Sequence, residues 1–365
     1  MIIAVTKRII LAHAHAAIFF FYFLISRLVN EKILIRKDIE RGEVVGGKIA
    51  IIAMWQSILC SNFLGALKAA RQSGYILIVV NNCILESSDI NEMQGLADVY
   101  IERDPGFGRD FAAYKTGVNY LNRMVSDSTK IDSVLFFNDS MVYFPSRLHR
   151  LFEYIDSIDR DVITLTESFV GGHHQSSWFF QVSGRVYFNE KFQGFWRRYK
   201  PCQSRVYTIK SGELGLSKIY SKLRITPHAI YNSAYFLRGL DDSIRCDDIY
   251  KLLSLRLQEA LFFNEDYPAR DVFINALLNK MLMDNPTHAI GLLLFRYFDF
   301  PAVKKDIYSK MVNNMHQIRM LFELNQEVPE SDRNACRDVI EIVASRRRLV
   351  DEPFHKRIIM KIGYI

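Results

Sequence analysis

Apolar residues gather in short unbroken runs along the chain, and the first run beyond the N-terminal region is Lys48 to Met54 (KIAIIAM). A run of this kind predicts a strand buried on both faces. Asn62 to Ser73 has helical spacing, and Tyr75 to Asn81 (YILIVVN) is a second apolar run. Strand, helix, strand predicts a right-handed βαβ crossover in a parallel sheet. Val99 to Arg103 predicts a third strand entering a glycine-bearing turn, with a helix from about Asp110 to Val125 behind it. A fourth strand, Ser133 to Phe137 (SVLFF), runs straight into Asn138-Asp139-Ser140. The pattern is that of a Rossmann-like, doubly wound α/β domain with a mostly parallel sheet, which binds ligands beyond the carboxyl ends of its strands.

Asp161 to Thr166 and Trp178 to Ser183 predict two more strands around a Gly171-Gly172 turn, followed by an aromatic-rich stretch from Tyr187 to Tyr199. From about Asp247 the periodicity is helical, and the chain ends in a basic stretch that includes Arg346, Arg347, Arg348, Lys356, Arg357 and Lys361. At the other end, Ile9 to Ser26 carries no formal charge and is flanked by Lys7, Arg8, Arg27 and Lys32. This predicts a hydrophobic helix, open to three arrangements: interfacial or re-entrant, a single span, or buried against the body. The expected organisation is residues 1–47 as this helix and a connector, 48–245 as the nucleotide-binding and catalytic domain, and 246–365 as a C-terminal helical region packed on it.

Composition narrows the class. Hydrophobic residues make up 49% of the 365 positions and charged ones 24%, which excludes extensive disorder. The net charge of +7 favours anionic partners such as phosphorylated substrates or a lipid surface. No zinc-finger spacing or Lys/Arg stripe interleaved with aromatics occurs, so nucleic acid is not an expected partner. Five scattered cysteines without a Cys-x-x-Cys pair fit a reducing compartment.

Four clusters can carry chemistry. Asp139 stands just after the fourth strand, where a carboxylate can face a diphosphate or a divalent metal, Mg²⁺ or Mn²⁺; as a residue at a strand end it can equally form a turn. Gly106 and Gly108 precede a helix, and Arg103 and Arg109 flank them, so backbone N–H groups and guanidinium groups could hold phosphates. Asp110 would serve that site or cap the helix. In VGGHHQSSWFF the adjacent histidines must point to opposite faces, so at most one reaches a site; His174, Gln175 and Ser176 are candidate sugar or phosphate contacts. Glu213, in KSGELGLSKIY, opens a predicted helix and is a candidate general base, or a carboxylate that stabilises the helix dipole.

Taken in order, these segments resemble the rhamnan synthesis protein F family of bacterial polysaccharide biosynthesis, from roughly Lys48 to Tyr308. The residues that carry the resemblance are Gly108-Arg109-Asp110-Phe111 with Tyr114-Lys115 and Gly117, then Asn138-Asp139-Ser140 with Pro145. They continue through His174-Gln175-Ser176, Phe195-Trp196, Glu213-Leu214, Asn285-Pro286-Thr287 and Phe300-Pro301 with Lys304-Lys305. The family looks like GT-A glycosyltransferases. The resemblance therefore implies that Asn138, Asp139 and Ser140 stand where such enzymes carry a metal motif, and that Glu213 is the acceptor-side acid. Read from the glycine-bearing turn itself, Arg103, Gly108, Arg109, Asp110 and Lys115 are the candidates to hold the nucleotide. The implied reaction moves a deoxysugar, most often from dTDP-L-rhamnose, to a lipid-linked O-antigen, capsule or rhamnan; the hydrophobic N-terminal stretch and the basic surface, which lie outside the resemblance, add the expectation of a place at the cytoplasmic face of the bacterial inner membrane. The competing expectation is an inactive, sugar-binding component of a polysaccharide assembly.

Overall fold

The computed structural model describes residues 17, 20–21, 23–38, 47–125, 130–170, 172–240, 243–261, 269–281, 284–309, 312–313, 317–318, 329–330 and 332–338. Most of the hydrophobic stretch before residue 23, and the basic C-terminal stretch, lie outside these residues.

The apolar runs become the centre of an eight-stranded sheet. Its strands are β1 (Lys32–Lys37), β2 (Gly47–Met54), β3 (Tyr75–Asn81), β4 (Val99–Asp104), β5 (Ile131–Asn138), β7 (Val162–Thr164), β10 (Phe179–Ser183) and β11 (His228–Ala229). Four short strands lie outside it: β6 (Met141–Tyr143), β8 (Glu167–Ser168), β9 (His174–Gln175) and β12 (Ala302–Lys304). The order across the sheet is β1-β4-β3-β2-β5-β10-β7-β11. β4, β3, β2 and β5 run parallel, while β1 and β10 are antiparallel to their neighbours. The expected mostly parallel α/β sheet is thus present. β1, on the edge, was not predicted: Ile33, Leu34 and Ile35 are exposed, and a strand open on both sides leaves no burial pattern to read.

Because side chains alternate across a strand, the two faces bury separate cores. Ala50, Ile52, Leu77, Val79, Leu135 and Phe137 pack with α1 (Ser61–Gln72) and α4 (Pro145–Ser157) on one face. Ile49, Ile51, Ile78, Val80, Val134 and Phe136 pack with α3 (Arg109–Met124) and α5 (Glu190–Arg198) on the other. Between them in sequence, α2 (Ser87–Leu96) leads into β4. Leu253, Leu257, Phe273, Leu277 and Leu293 from the C-terminal helices share the first core. A small ladder joins β12 (Ala302–Lys304) to β6, with Lys304 opposite Met141. Farther on, Asp338 accepts hydrogen bonds from Asn62 N at 2.7 Å and Ser61 Oγ at 3.0 Å, capping α1 from a distant segment.

Residues 23–28 are helical, with Leu24 and Leu28 exposed, and Phe20 and Phe21 just before them are exposed too. Among the described residues no helix is long and apolar enough to cross a membrane.

Candidate functional site

The carboxyl ends of β2, β3 and β5 lie side by side, with Met54 opposite Asn81 and Ala53 opposite Asn138. Buried Asn81 fixes the loop after β2 in both directions: Gln56 N donates to its Oδ1 at 3.2 Å, and its Nδ2 donates to Gln56 O at 2.8 Å. The loop then offers Trp55 N at 3.1 Å and Gln56 Nε2 at 3.0 Å to Asp139 Oδ2. Trp55 itself is 45% exposed beside this edge.

The glycine-bearing turn after β4 is built around Asn82 and Arg103. Arg103 is buried; it donates to Asn82 Oδ1 and to Phe107 O at 2.8 Å, and forms an ion pair with Glu31. Its guanidinium therefore holds the turn in place. A Cβ on Gly106 would sit 1.8 Å from Asn82 O, so only glycine fits there. Gly108 and Arg109 both have positive φ, 96° and 60°, and Asn82 Nδ2 secures the sharp entry to α3 by donating to Arg109 O at 3.1 Å. Gly108 caps α3 without a side-chain acceptor, so Asp110 lies within the first turn and is not the cap. Beside the turn opens a cleft of about 550 Å³ lined by Trp55, Asn82, Cys83, Pro105, Gly106 and Gln203.

Asn138 links the turn to the strand end. Its Nδ2 donates to Asp110 Oδ2 at 2.9 Å, and its Oδ1 accepts from Ser140 N at 3.0 Å and Ser140 Oγ at 2.6 Å. Burial, together with the charges of Glu213 and Asp139, raises the Asp110 carboxyl above its ordinary value despite Arg109 beside it. Glu213 moves the other way. Burial alone would raise it, but Ser177 Oγ donates to Oε1 at 2.6 Å and His174 Nε2 lies 3.5 Å from Oε2, and together they hold it below the ordinary value. Burial disfavours the charged His174 ring, but Glu213 and Gly172 O, which is 2.7 Å from Nδ1, outweigh it and raise its pKa. A carbonyl only accepts, so Nδ1 carries a hydrogen and Nε2 gains one when the ring is protonated. Two carboxyls on one edge are thus pushed apart, which is how acid and base roles are commonly separated.

Glu213 ends a π-helical turn, Thr208–Glu213, that continues into α6 (Leu214–Lys222). The expected free helix N-terminus is therefore absent, because the chain is already helical from Arg205. Gly212 within the turn lies flat against Phe111, where a Cβ would meet the ring at 2.8 Å.

The two histidines part as alternation requires. His173 is exposed and pairs with Glu167 at 2.8 Å, while His174 is buried at the site. Gln175 Oε1 accepts from Thr164 Oγ1 at 2.7 Å, and Ser176 Oγ accepts from Thr166 Oγ1 at 2.9 Å, so both side chains brace the β8–β9 region. Lys115 is not brought to the edge: its Nζ donates to Tyr199 O at 2.6 Å and Arg197 O at 3.1 Å, at the end of α5. Sequence reasoning missed Gln56, Asn82 and Ser177, whose roles depend on partners distant in the chain.

Asp139 was the expected metal ligand. Its Oδ2 already accepts two hydrogen bonds, and among the described residues no group of three or more His, Cys, Asp and Glu side chains stands at metal-binding spacing.

The fold and this edge define an α/β protein with a cleft at the carboxyl ends of its strands. Residues 77–234 match the family model of rhamnan synthesis protein F. That bears out the family resemblance over a span holding the Asp110, Asp139, His174 and Glu213 motifs, shorter than the Lys48 to Tyr308 expected. The chain is similar to the uncharacterized protein y4gN of Sinorhizobium fredii, 23% identical over 326 residues that cover 86% of this chain and 77% of that one. A segment of 67 residues, 18% of this chain, is 40% identical to the virulence protein VirA of Vibrio anguillarum, of which it spans 20%. Among solved structures, S. aureus TarS 1-349 in complex with UDP-GlcNAc aligns over 83% of this chain and 92% of that one. Its identity is 12% and its TM-score 0.31, a likeness too loose to carry an argument.

Proposed function

We propose that this protein is a GT-A-like glycosyltransferase that moves a sugar, by inversion, from a nucleotide-sugar to a lipid-linked bacterial surface polysaccharide, with dTDP-L-rhamnose as the expected donor. The observation that carries the reading is the grouping of Asp110, Asp139 and Glu213 at one strand-end edge, beside a cleft lined by the Gly106 turn that leads into α3. The family match supports the polysaccharide context.

In this reading the nucleotide lies in the cleft against Trp55 and the Gly106 turn, and the uncapped N–H groups of α3 face phosphate oxygens. An acceptor hydroxyl attacks the anomeric carbon and the bond to the diphosphate oxygen breaks. The nucleoside diphosphate leaves with the electron pair, and the hydroxyl proton passes to Glu213, kept ionised by Ser177 and His174. Asp139 holds the Trp55–Gln56 loop over the cleft. Exposed Phe20, Phe21, Leu24 and Leu28 near Arg27 and Lys32 support a peripheral position at the cytoplasmic face of the inner membrane.

Substituting Asp139→Ala tests the reading. Thermal denaturation with UDP-, dTDP- and GDP-sugars should show one donor stabilising the wild type, and the variant should lose that stabilisation together with transfer. Donor binding and transfer both unchanged in the variant would refute the assignment. Binding in the wild type without any transfer would favour the sugar-binding scaffold.

A further inference from the structure

The edge strand β1 and the helical residues before it expose apolar side chains that the packing of the sheet leaves uncovered. Phe20, Leu24 and Leu28 recur every four residues, so they form one stripe along the helical segment, and Leu28 is 82% exposed. In β1, Ile33 and Ile35 are exposed on one face of the sheet and Leu34 on the other. Among the described residues no strand pairs with the outer edge of β1. A contiguous apolar surface of this kind marks a contact with a partner.

Charge selects that partner. Residues 23–38 hold Arg27, Lys32, Arg36 and Lys37 against Glu31 and Asp38, and Glu31 is turned inward to Arg103. A second copy of this chain added antiparallel to β1 about its centre would set Lys32 opposite Lys37 and Ile33 opposite Arg36. Like charges would then face each other at both ends of the pair, which is destabilising. An anionic bilayer suits both features: the apolar stripe enters the acyl boundary and the cations meet the headgroups.

The same segment reaches the cleft through direct contacts. Lys32 lies opposite Asp104 at the end of β4, and Asp104 lines the cleft together with the exposed Trp55 and Ile84. One residue earlier, Glu31 pairs with Arg103 at 2.5 Å. That guanidinium lines the cleft and holds Asn82 and Phe107 O in the glycine-bearing turn.

We propose that the surface of residues 20–37 is a docking face for an anionic lipid bilayer, and that Glu31 relays docking to the donor cleft by holding Arg103. This rests on the transferase reading and adds to it the surface that meets the membrane and the route by which the membrane acts on the donor. A segment that lipid already holds in place need not be ordered when a nucleotide binds, so docking strengthens the site. Linkage requires the converse, that bound nucleotide tightens docking by the same factor. Glu31 is a positioning residue in this scheme, acting through Arg103.

The test is co-sedimentation of the full-length protein with vesicles of phosphatidylcholine, alone or mixed with phosphatidylglycerol, alongside titration of UDP, dTDP and GDP with each vesicle present. The wild type should favour the mixed vesicles, and high salt should remove the difference. Lys32→Gln should weaken that binding by about fivefold, the weight of one cation near an anionic surface. Leu24→Ser combined with Leu28→Ser should weaken it by about tenfold or more, with the melting temperature level because both side chains are exposed. Mixed vesicles should tighten the binding of one diphosphate several-fold. Glu31→Gln should abolish that gain while still sedimenting with vesicles, and the serine pair, which keeps Glu31, should lose it through lost docking. A wild type left in the supernatant by both vesicles overturns the inference and leaves the transferase reading standing. A dimer in solution that Ile33→Ser with Ile35→Ser separates, without vesicle binding, overturns it in favour of a second copy. A lipid-induced gain that persists in Glu31→Gln overturns the relay. Vesicle binding by a wild type that takes up none of the three diphosphates supports the docking face and sinks the transferase reading, and the relay with it.

Discussion

Asp110 and Glu213 lie in each other's field, yet their carboxyls move in opposite directions because their partners differ. Asp110 receives one amide hydrogen bond and two negative neighbours, whereas Glu213 receives a hydroxyl and an imidazole. Two predictions follow from that asymmetry. Glu213→Gln should leave donor affinity within about twofold of wild type and cut transfer by roughly 10² or more, the usual contribution of a general base; a rate within a few-fold of wild type would remove Glu213 from the mechanism. The second concerns pH. His174 is raised above its ordinary 6.5 in the folded state, so its contribution to stability is complete below about 6.5 and is lost as pH rises through the raised value. Glu213 is lowered, so its contribution is present above the ordinary carboxyl value and is lost as pH falls through the depressed one. The melting-temperature difference between wild type and His174→Asn should therefore narrow as pH rises above about 6.5 through the raised value. A difference that stays flat from acid to alkaline pH would show that the pair does not couple to folding.

Among the elements, the parallel centre of the sheet was legible because the middles of β2, β3 and β5 are buried on both faces and form unbroken apolar runs. Tyr75–Asn81 matches its expected strand at both ends, and α3 begins and ends one residue before its expected span. The elements missed are those fixed by distant partners. Edge strand β1 is exposed, β12 acquires its identity only by pairing with β6, and the π-helical turn before α6 reflects the packing of Gly212 on Phe111. The same limit applied to the site. Asp110, Asp139, His174 and Glu213 stood out as polar residues at element ends, while Gln56, Asn82 and Ser177 gain meaning only from contacts made across the chain. At this scale Gly106→Ala should open the turn against Asn82. The expected cost is about 1–3 kcal/mol of stability, with the donor-induced thermal shift largely lost; a variant as stable and as responsive as wild type would mean that the turn is not constrained as described. Asp338→Ala, which removes the acceptor at the start of α1, should cost about 1 kcal/mol in chemical denaturation with donor affinity kept. No measurable change would detach the C-terminal helix from the stability of the sheet.

For the whole molecule, one sheet edge collects a loop after β2, a glycine-bearing turn before α3, the end of β5, a π-helical turn and a strand from near residue 300. Segments so far apart in sequence converge because parallel strands present their carboxyl ends together and the C-terminal helices share a core with the sheet. The measurement closest to the central claim is release of nucleoside diphosphate from a panel of nucleotide-sugars by purified wild-type protein, with a membrane extract supplying lipid-linked glycan. The account predicts release from one donor that depends on the extract and is abolished by Glu213→Gln. Release from no donor, or release that the glutamine variant sustains at the wild-type rate, would contradict it.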